Sequence, residues 1–251
     1  MNITTVCAAF ALSVLYRTWR GLRRSKARSR RKERGLVVGV DVDGVLANQI
    51  EGVLPWLNAQ QGVLLEYKDV TAWDLPVGST DIKAAIVTSL EDEEYVLNMP
   101  VHANAAEAMR RMATANVVNV VTARGPQAAG WTQKWLERNG IVHDGLATFG
   151  DMEKSKHGAD VLIDDYVGNC LEFLVNTKSG YAILVDQPWN RDRSPLERFA
   201  AERRFAVVAD LGAAAIIVDS LRRARAGSVE EDVAEAALEV VSEEGVVGHR
   251  L

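Results

Sequence analysis

The chain has 251 residues, of which 48% are hydrophobic and 25% are charged. This composition is ordinary for a globular protein and excludes fibrous and disordered classes. Its two cysteines are too few for a disulfide framework, and no Cys/His spacing typical of a zinc site occurs. The formal net charge is −5, but residues 17–34 alone carry ten basic residues and one acid. The remaining body, residues 35–251, is therefore near −14, which disfavours general nucleic-acid binding.

Residues 1–34 form an apolar and then basic extension that we leave outside the predicted fold. Residues 3–16 are an uncharged run of 14, fewer than the ~20 apolar residues that a membrane-spanning helix needs. The basic block follows the apolar run, whereas a secretory signal has its positive charge first. Three interpretations stay open: a marginal anchor, an organelle-targeting presequence and a disordered extension. We expect a cytoplasmic protein; organelle targeting, or weak contact of residues 17–34 with a membrane or another anionic surface, is the alternative.

Short apolar runs recur after this extension, and each ends in a polar or acidic residue. The runs are LVVGV before Asp41, VVNVV before Thr122, VLI before Asp164 and Asp165, YAILV before Asp186, and FAVVA before Asp210. Continuous β-branched runs are typical of parallel strands that are buried on both faces. Because ligands bind beyond the carboxyl ends of such strands, the polar residues that follow them should gather at one site.

Helical patterns lie between these runs, at residues 104–115, 127–140 and 166–177. The alternation predicts an α/β fold with a doubly wound parallel sheet, over residues 35–227. Some 68 residues, 48 to 115, separate the first two strands, too many for one crossover helix. Residues 48–103 are therefore predicted to form a small, largely helical cap inserted after the first strand.

The last segment, residues 228–251, is predicted to form an acidic helix and tail. Ser228 and Glu231 have the spacing of a capping box, and small apolar residues recur on one helical face. We expect the seven acids of residues 228–244 to form a solvated face. A partner-binding face is the alternative.

The strongest chemical signal is the segment DVDGVLA, residues 41–47. Asp41 and Asp43 project to the same side of an extended chain, and like charges this close raise one pKa unless a cation lies between them. Asp164 and Asp165 form a second acidic pair at another predicted strand end. One such pair often only caps a strand, but two pairs form an all-oxygen cluster. Such a cluster favours Mg²⁺ over zinc.

These residues resemble the motifs of the haloacid dehalogenase (HAD) superfamily of phosphohydrolases, and within it the 5'(3')-deoxyribonucleotidase-like group. The resemblance covers the chain from about residue 36 to residue 191. DVDGVLA is similar to the first motif, VVTAR with Thr122 to the second, Lys154 to the third and ADVLIDD to the fourth. Lys154 lies ten residues before Asp164, a spacing that resembles the group better than that of Lys156, at eight.

The resemblance implies a Rossmann-like core and a covalent phosphatase mechanism. Asp41 would be the nucleophile that forms an aspartyl-phosphate, and Asp43 the general acid and then the general base. Mg²⁺ would be held by Asp41, the main-chain carbonyl of Asp43 and the acidic pair. The direct carboxylate ligand of that pair would be Asp165, with Asp164 beside it.

Three further residues are expected to bind the substrate. Thr122 would donate its hydroxyl to phosphate oxygens, and Lys154 would add a positive charge there and hold Asp41 ionised. Arg124 would reach the phosphate or the sugar, with a surface salt bridge as the alternative.

The predicted function is Mg²⁺-dependent hydrolysis of a (deoxy)nucleoside monophosphate. Asn48 and Gln49 stand where the group usually carries an acid and an aromatic residue, which leaves the substrate pocket open. Trp56, Tyr67 and Trp73 are candidates for stacking on a base, with core packing as the alternative.

Two other functions stay open. A phosphatase with the same residues can act on sugar phosphates or other small phosphate esters, because fold does not determine substrate. A non-catalytic scaffold whose basic arm binds nucleic acid or a membrane is the third; no specific nucleic-acid partner is predicted.

Overall fold

The computed structural model describes residues 35–150 and 152–227. The strands are β1 (Val37–Val40), β2 (Pro76–Val77), β3 (Thr80–Asp81), β4 (Val117–Thr122), β5 (Gly145–Thr148), β6 (Val161–Asp164), β7 (Tyr181–Val185) and β8 (Phe205–Val208). The α-helices are α1 (Gln49–Gln61), α2 (Ile82–Ser89), α3 (Glu93–Asn98), α4 (Ala105–Ala113), α5 (Ala129–Arg138), α6 (Val167–Asn176), α7 (Glu197–Ala201) and α8 (Leu211–Arg225). Within this part of the chain, no helix is both long and apolar enough to cross a membrane.

The main sheet has six parallel strands in the order β5-β4-β1-β6-β7-β8. Five of them coincide with the apolar runs of the sequence. The sixth, edge strand β5, was not predicted, because its sequence GLAT has no β-branched apolar residue.

Helices cover both faces of this sheet, since alternate strand residues point to opposite sides. Val38 and Val40 belong to an apolar cluster that includes residues of α4, α5 and α8. Leu162 and Leu184 belong to a second cluster, with residues of α6 and α7. The prediction of a doubly wound α/β fold is confirmed.

The segment between β1 and β4 contains α1, the β2–β3 hairpin, α2 and α3, in the region where the sequence predicts a largely helical cap. It has an apolar cluster of its own, which consists of Ile50, Val53, Leu54, Leu57, Val70, Val77, Ile82, Ala85 and Ile86, together with Trp189 from the loop after β7. The antiparallel hairpin is an addition to the predicted helices. The domain boundaries at residues 48 and 103 stay a prediction.

The two ends of this inserted segment lie side by side. The amide of Asn48 donates to the carbonyl of Pro100 at 2.8 Å, and that of His102 donates to the carbonyl of Leu46 at 2.9 Å. Asn48 is also the N-cap of α1, since its Oδ1 accepts from the amide of Glu51 at 3.3 Å. The insertion is therefore anchored directly behind the DVDGVLA loop. The predicted extension 1–34 and the predicted acidic helix 228–251 lie outside the described residues.

Candidate active site

The loop after β1 folds into a tight turn. The amides of Leu46 and Ala47 donate to the carbonyl of Val42 at 2.9 and 2.7 Å. Gly44 has a φ of +77°, and a Cβ on it would lie 2.2 Å from Oδ2 of Asp165. Position 44 thus requires glycine, both because of its positive φ and because a side chain there would overlap Asp165. The loop therefore lies in close contact with the fourth motif.

A buried cluster of three carboxylates lies beyond the ends of the neighbouring strands β1 and β6. One oxygen from each of Asp41, Asp164 and Asp165 lies within 4.8 Å of the other two. The three residues are 7%, 0% and 1% exposed. Parallel pairing of β1 with β6 brings these acids together from positions more than 120 residues apart.

Lys154 lies between two of these carboxylates. It starts a short 3₁₀ turn, Lys154–His157, and its Nζ is 2.8 Å from Oδ2 of Asp41 and 2.7 Å from Oδ2 of Asp164. Burial alone would lower the pKa of Lys154, but the two carboxylates outweigh it and raise that pKa. Lys156 instead forms an exposed ion pair with Glu153 at 2.6 Å. Of the two candidate lysines, the fold brings Lys154 to the cluster.

Three carboxylates facing one ammonium leave the cluster with uncompensated negative charge. Burial raises the pKa of Asp41 to about 7; Lys154 opposes the shift, while Asp164 and Asp43 add to it. Burial, with Asp164 and Asp41 adding to it, also raises the pKa of Asp165 well above its usual range. An all-oxygen donor set with excess negative charge fits a hard divalent cation such as Mg²⁺.

The side chain of Asp164 accepts more hydrogen bonds from the protein than that of Asp165. Asp164 accepts from Lys154, from the amide of Tyr166 at 2.9 Å, and from Nδ2 of Asn169 at 3.2 Å on both oxygens. Oδ2 of Asp165 accepts from Nε1 of Trp189 at 2.7 Å. The protein therefore saturates Asp164 with its own donors.

The carboxylate of Asp43 pairs with Arg124 instead of joining the cluster. Nε of Arg124 donates to Oδ2 at 2.8 Å, and Nη2 donates to Oδ1 at 2.6 Å, a bidentate pair. Nη1 donates to Oγ1 of Thr132 at 3.1 Å, and Nη2 also contacts Sδ of Met99 at 3.1 Å. Arg124 thus forms a salt bridge, as the predicted alternative has it, but at 3% exposure this arginine is buried and not at the surface. Burial opposes the charge of Arg124, but Asp43 outweighs it and raises the arginine's pKa.

Thr122 ends β4, directly beside β1, and is 1% exposed. Its Oγ1 accepts from the amide of Arg124 at 3.2 Å. This places the threonine on the same edge of the sheet as Asp41, where polar terminators of parallel strands meet.

The loop after β7 supplies site contacts that the sequence did not predict. Nε2 of Gln187 donates to the carbonyl of Gly44 at 2.8 Å, and Nδ2 of Asn190 donates to the carbonyl of Asp165 at 2.8 Å. With the indole of Trp189, three side chains of one loop reach the first and fourth motifs. The available signal was the position of DQPWN, directly after a predicted strand.

Two of the three aromatic residues proposed for base stacking pack against this loop. The rings of Tyr67 and Trp73 have centroids 5.6 and 5.3 Å from that of Trp189, and the hydroxyl of Tyr67 donates to Oε1 of Gln187 at 2.5 Å. Trp56, on α1, is 44% exposed. Gln49 is 1% exposed, and its Oε1 has no hydrogen-bond partner among the described residues.

Comparison with known proteins identifies the family of this chain. A sequence model of the family described as "5' nucleotidase, deoxy (Pyrimidine), cytosolic type C protein" matches residues 35–211. A curated 5'(3')-deoxyribonucleotidase of Bacillus subtilis (strain 168) is 26% identical over 162 residues, 63% of this chain and 89% of that protein. A protein of the same name from Bacillus phage SPbeta gives the same figures.

Solved structures share the fold. A HAD family hydrolase from Deinococcus radiodurans R1, with bound phosphate and sodium, has a TM-score of 0.50 and 16% identity over 77% of this chain and 96% of that chain. A haloacid dehalogenase-like protein of unknown function from Agrobacterium tumefaciens str. C58 has a TM-score of 0.51 and 10% identity, over 74% and 99%.

These findings confirm the predicted resemblance to the HAD superfamily and to its nucleotidase group. They also confirm that the protein is a phosphoric monoester hydrolase, whose substrate is a small phosphate ester. The family match spans more than half of the chain. The chain therefore belongs to the 5' nucleotidase, deoxy (pyrimidine), cytosolic type C family.

Proposed function

We propose that this protein hydrolyses deoxynucleoside monophosphates, with Asp41 as the nucleophile and Mg²⁺ as the cofactor. One observation supports this above all: the buried cluster of Asp41, Asp164 and Asp165, which Lys154 joins at 2.7 and 2.8 Å. The name 5'(3')-deoxyribonucleotidase of the Bacillus relatives supports the substrate class.

Asp41 and Asp165 would hold the metal ion, with the main-chain carbonyl of Asp43 as a further ligand. Asp164 would stand beside them, because its oxygens already accept from Lys154, Tyr166 and Asn169. When bound there, Mg²⁺ supplies the positive charge that lets an anionic nucleophile approach an anionic substrate.

The carboxylate of Asp41 attacks the phosphorus in line, and the bond from phosphorus to the ester oxygen breaks. The products of this step are an aspartyl-phosphate and the nucleoside, whose oxygen takes a proton from Asp43. Asp43 enters this step protonated on one oxygen, with the other oxygen accepting from Arg124. Water, deprotonated by Asp43, then attacks the phosphorus, which releases phosphate and restores the carboxylate of Asp41. Lys154 favours the ionised form of Asp41, since its ammonium at 2.8 Å opposes the rise in pKa that burial causes.

Arg124 would act through Asp43. Its contacts with both oxygens of Asp43, with Thr132 and with Met99 occupy most of its donors, and it is buried. This supports a role in orienting the general acid, Asp43, and counts against the predicted contact of Arg124 with phosphate or sugar. Thr122 keeps its predicted role as a donor to phosphate oxygens.

A phosphate-release screen tests the proposal. Full-length protein with Mg²⁺ is given 5' and 3' deoxynucleotides, ribonucleotides and several sugar phosphates. We expect the deoxynucleoside monophosphates to be the fastest substrates. Asp41→Asn should reduce their turnover by a factor on the order of 10³ or more, because it removes the nucleophile.

The matched control is Asp210→Asn, which changes another aspartate at a strand end. Asp210 caps α8 by accepting from the amide of Ala213 at 2.9 Å, and asparagine caps helices equally well. This variant should keep wild-type turnover. If Asp41→Asn released phosphate as fast as wild type, the covalent mechanism would be wrong. Comparable turnover of unrelated sugar phosphates would instead overturn the preference for nucleotides.

A further inference from the structure

The loop after β7, residues 186–193, contacts the candidate metal site at three points. Gln187 donates to the carbonyl of Gly44, in the turn of the first motif, at 2.8 Å. Asn190 and Trp189 both donate to Asp165, to its carbonyl and its carboxylate respectively. One loop thus holds the main chain and the side chain of the same aspartate.

The contact of Trp189 with Asp165 is short and shielded from water. Nε1 of the indole lies 2.7 Å from Oδ2, and the tryptophan is 8% exposed. An indole N–H is a donor only, so this bond requires a carboxylate oxygen that points at the ring. With Oδ2 held in this way, the rotation of the Asp165 carboxylate is fixed.

The ring of Trp189 is itself held by the segment inserted between β1 and β4. It packs against the rings of Tyr67 and Trp73 and belongs to the apolar cluster of that segment. Tyr67 also donates to Gln187 at 2.5 Å, so the inserted segment contacts the loop after β7 at this residue too. The orientation of Asp165 is therefore tied to the packing of the inserted segment.

We propose that Trp189 is a positioning residue for Asp165, which its indole N–H holds in the orientation that binds the metal ion. This inference rests on the proposed function, because it takes Asp165 as a direct ligand of Mg²⁺. Hydrogen-bond partners of metal ligands typically contribute ~10- to 100-fold to metal affinity. A tryptophan that only fills the apolar cluster would contribute through its ring and not through its N–H.

Trp189→Phe separates these two roles, because phenylalanine keeps an aromatic ring and loses the donor. The matched control is Trp73→Phe, which changes a ring of the same aromatic group that does not contact Asp165. Binding of Mg²⁺ to each full-length protein is measured by isothermal titration calorimetry without substrate. We expect the Kd to rise ~10-fold or more in Trp189→Phe and to stay near the wild-type value in Trp73→Phe.

The outcomes distinguish the positioning role of Trp189 from the metal site of the proposed function. If wild type binds Mg²⁺ and Trp189→Phe binds it equally well, the positioning role is wrong and the metal site stands. Equal weakening in both variants would assign the effect to ring packing and overturn the positioning role. If wild type binds no Mg²⁺, the metal site of the proposed function fails, and this inference fails with it.

A measurement on wild type covers the case in which Trp189→Phe does not fold. The assigned indole N–H resonance of Trp189 should shift when Mg²⁺ is added, since the metal ion withdraws charge from its acceptor. An unchanged resonance at saturating Mg²⁺ would overturn the inference.

Discussion

At the scale of single residues, the charged side chains of the site form two separate groups. Lys154 lies within 2.8 Å of carboxylate oxygens of both Asp41 and Asp164, and Arg124 forms a bidentate pair with Asp43. All these groups except Asp43 are almost fully buried, where an unpaired charge is costly. The two aspartates of DVDGVLA thus have different partners, and this difference matches their different proposed roles, nucleophile and general acid.

Arg124→Lys tests whether Arg124 acts through Asp43. A lysine keeps the positive charge but cannot form the bidentate pair that orients the carboxylate. General acid catalysis is worth ~10²- to 10⁴-fold, and it matters for a nucleoside leaving group but little for p-nitrophenolate. We therefore expect kcat/KM, which covers departure of the leaving group but not the later hydrolysis of the aspartyl-phosphate, to fall ~10-fold or more with a deoxynucleotide and much less with p-nitrophenyl phosphate.

Asp43→Asn is the reference for this experiment, because it removes the acid itself and should show the same dependence on the leaving group. Equal losses on both substrates in Arg124→Lys would contradict the orienting role. That result would favour a direct contact with phosphate, one of the two contacts, phosphate or sugar, that the sequence predicts for Arg124.

At the scale of elements, the strand ends were predictable and the side-chain partners were not. Apolar runs identify five of the six strands of the main sheet, and parallel pairing then brings Asp41 and Asp164 to one edge. The bond from Arg124 to Asp43 spans 81 residues, and that from Trp189 to Asp165 spans 24. Such contacts depend on how loops pack in three dimensions, which hydrophobic periodicity does not report.

The turn of the first motif allows a test at this scale. Gly44→Ala places a Cβ 2.2 Å from Oδ2 of Asp165 and also strains a residue at a φ of +77°. Gly62→Ala has the strain alone, because Gly62 has a φ of +65° and no atom within 4 Å of the added Cβ. We expect Gly62→Ala to lower the free energy of unfolding by about 1 kcal/mol, the usual cost of the left-handed conformation.

Gly44→Ala should cost at least ~1 kcal/mol more in urea unfolding, as overpacking does, and should weaken Mg²⁺ binding. Gly62→Ala should leave Mg²⁺ binding unchanged. If the two variants lose the same stability and keep the same metal affinity, the turn does not constrain Asp165.

At the scale of the whole molecule, the acidic body and the phosphate substrate are compatible. Residues 35–251 stand near −14, yet Lys154 supplies positive charge at the described site. The acidic cluster beside it fits a divalent cation, which would supply more. The inserted segment packs against Trp189 and bonds Gln187, both in the loop after β7, and this loop contacts the site at the ends of the strands. The inserted segment is therefore linked to the site that the sheet forms. The cytoplasmic location and the surface contact of the basic residues 17–34 stay predictions.

Trapping the phosphorylated enzyme tests the covalent mechanism most directly. Wild-type protein turning over a labelled deoxynucleoside monophosphate with Mg²⁺ is quenched in acid within a turnover, digested and analysed by mass spectrometry. We expect a phosphoryl group on Asp41 that is absent without Mg²⁺ and absent in Asp41→Asn. A phosphoryl group on another residue, or turnover in Asp41→Asn at the wild-type rate, would contradict the covalent mechanism.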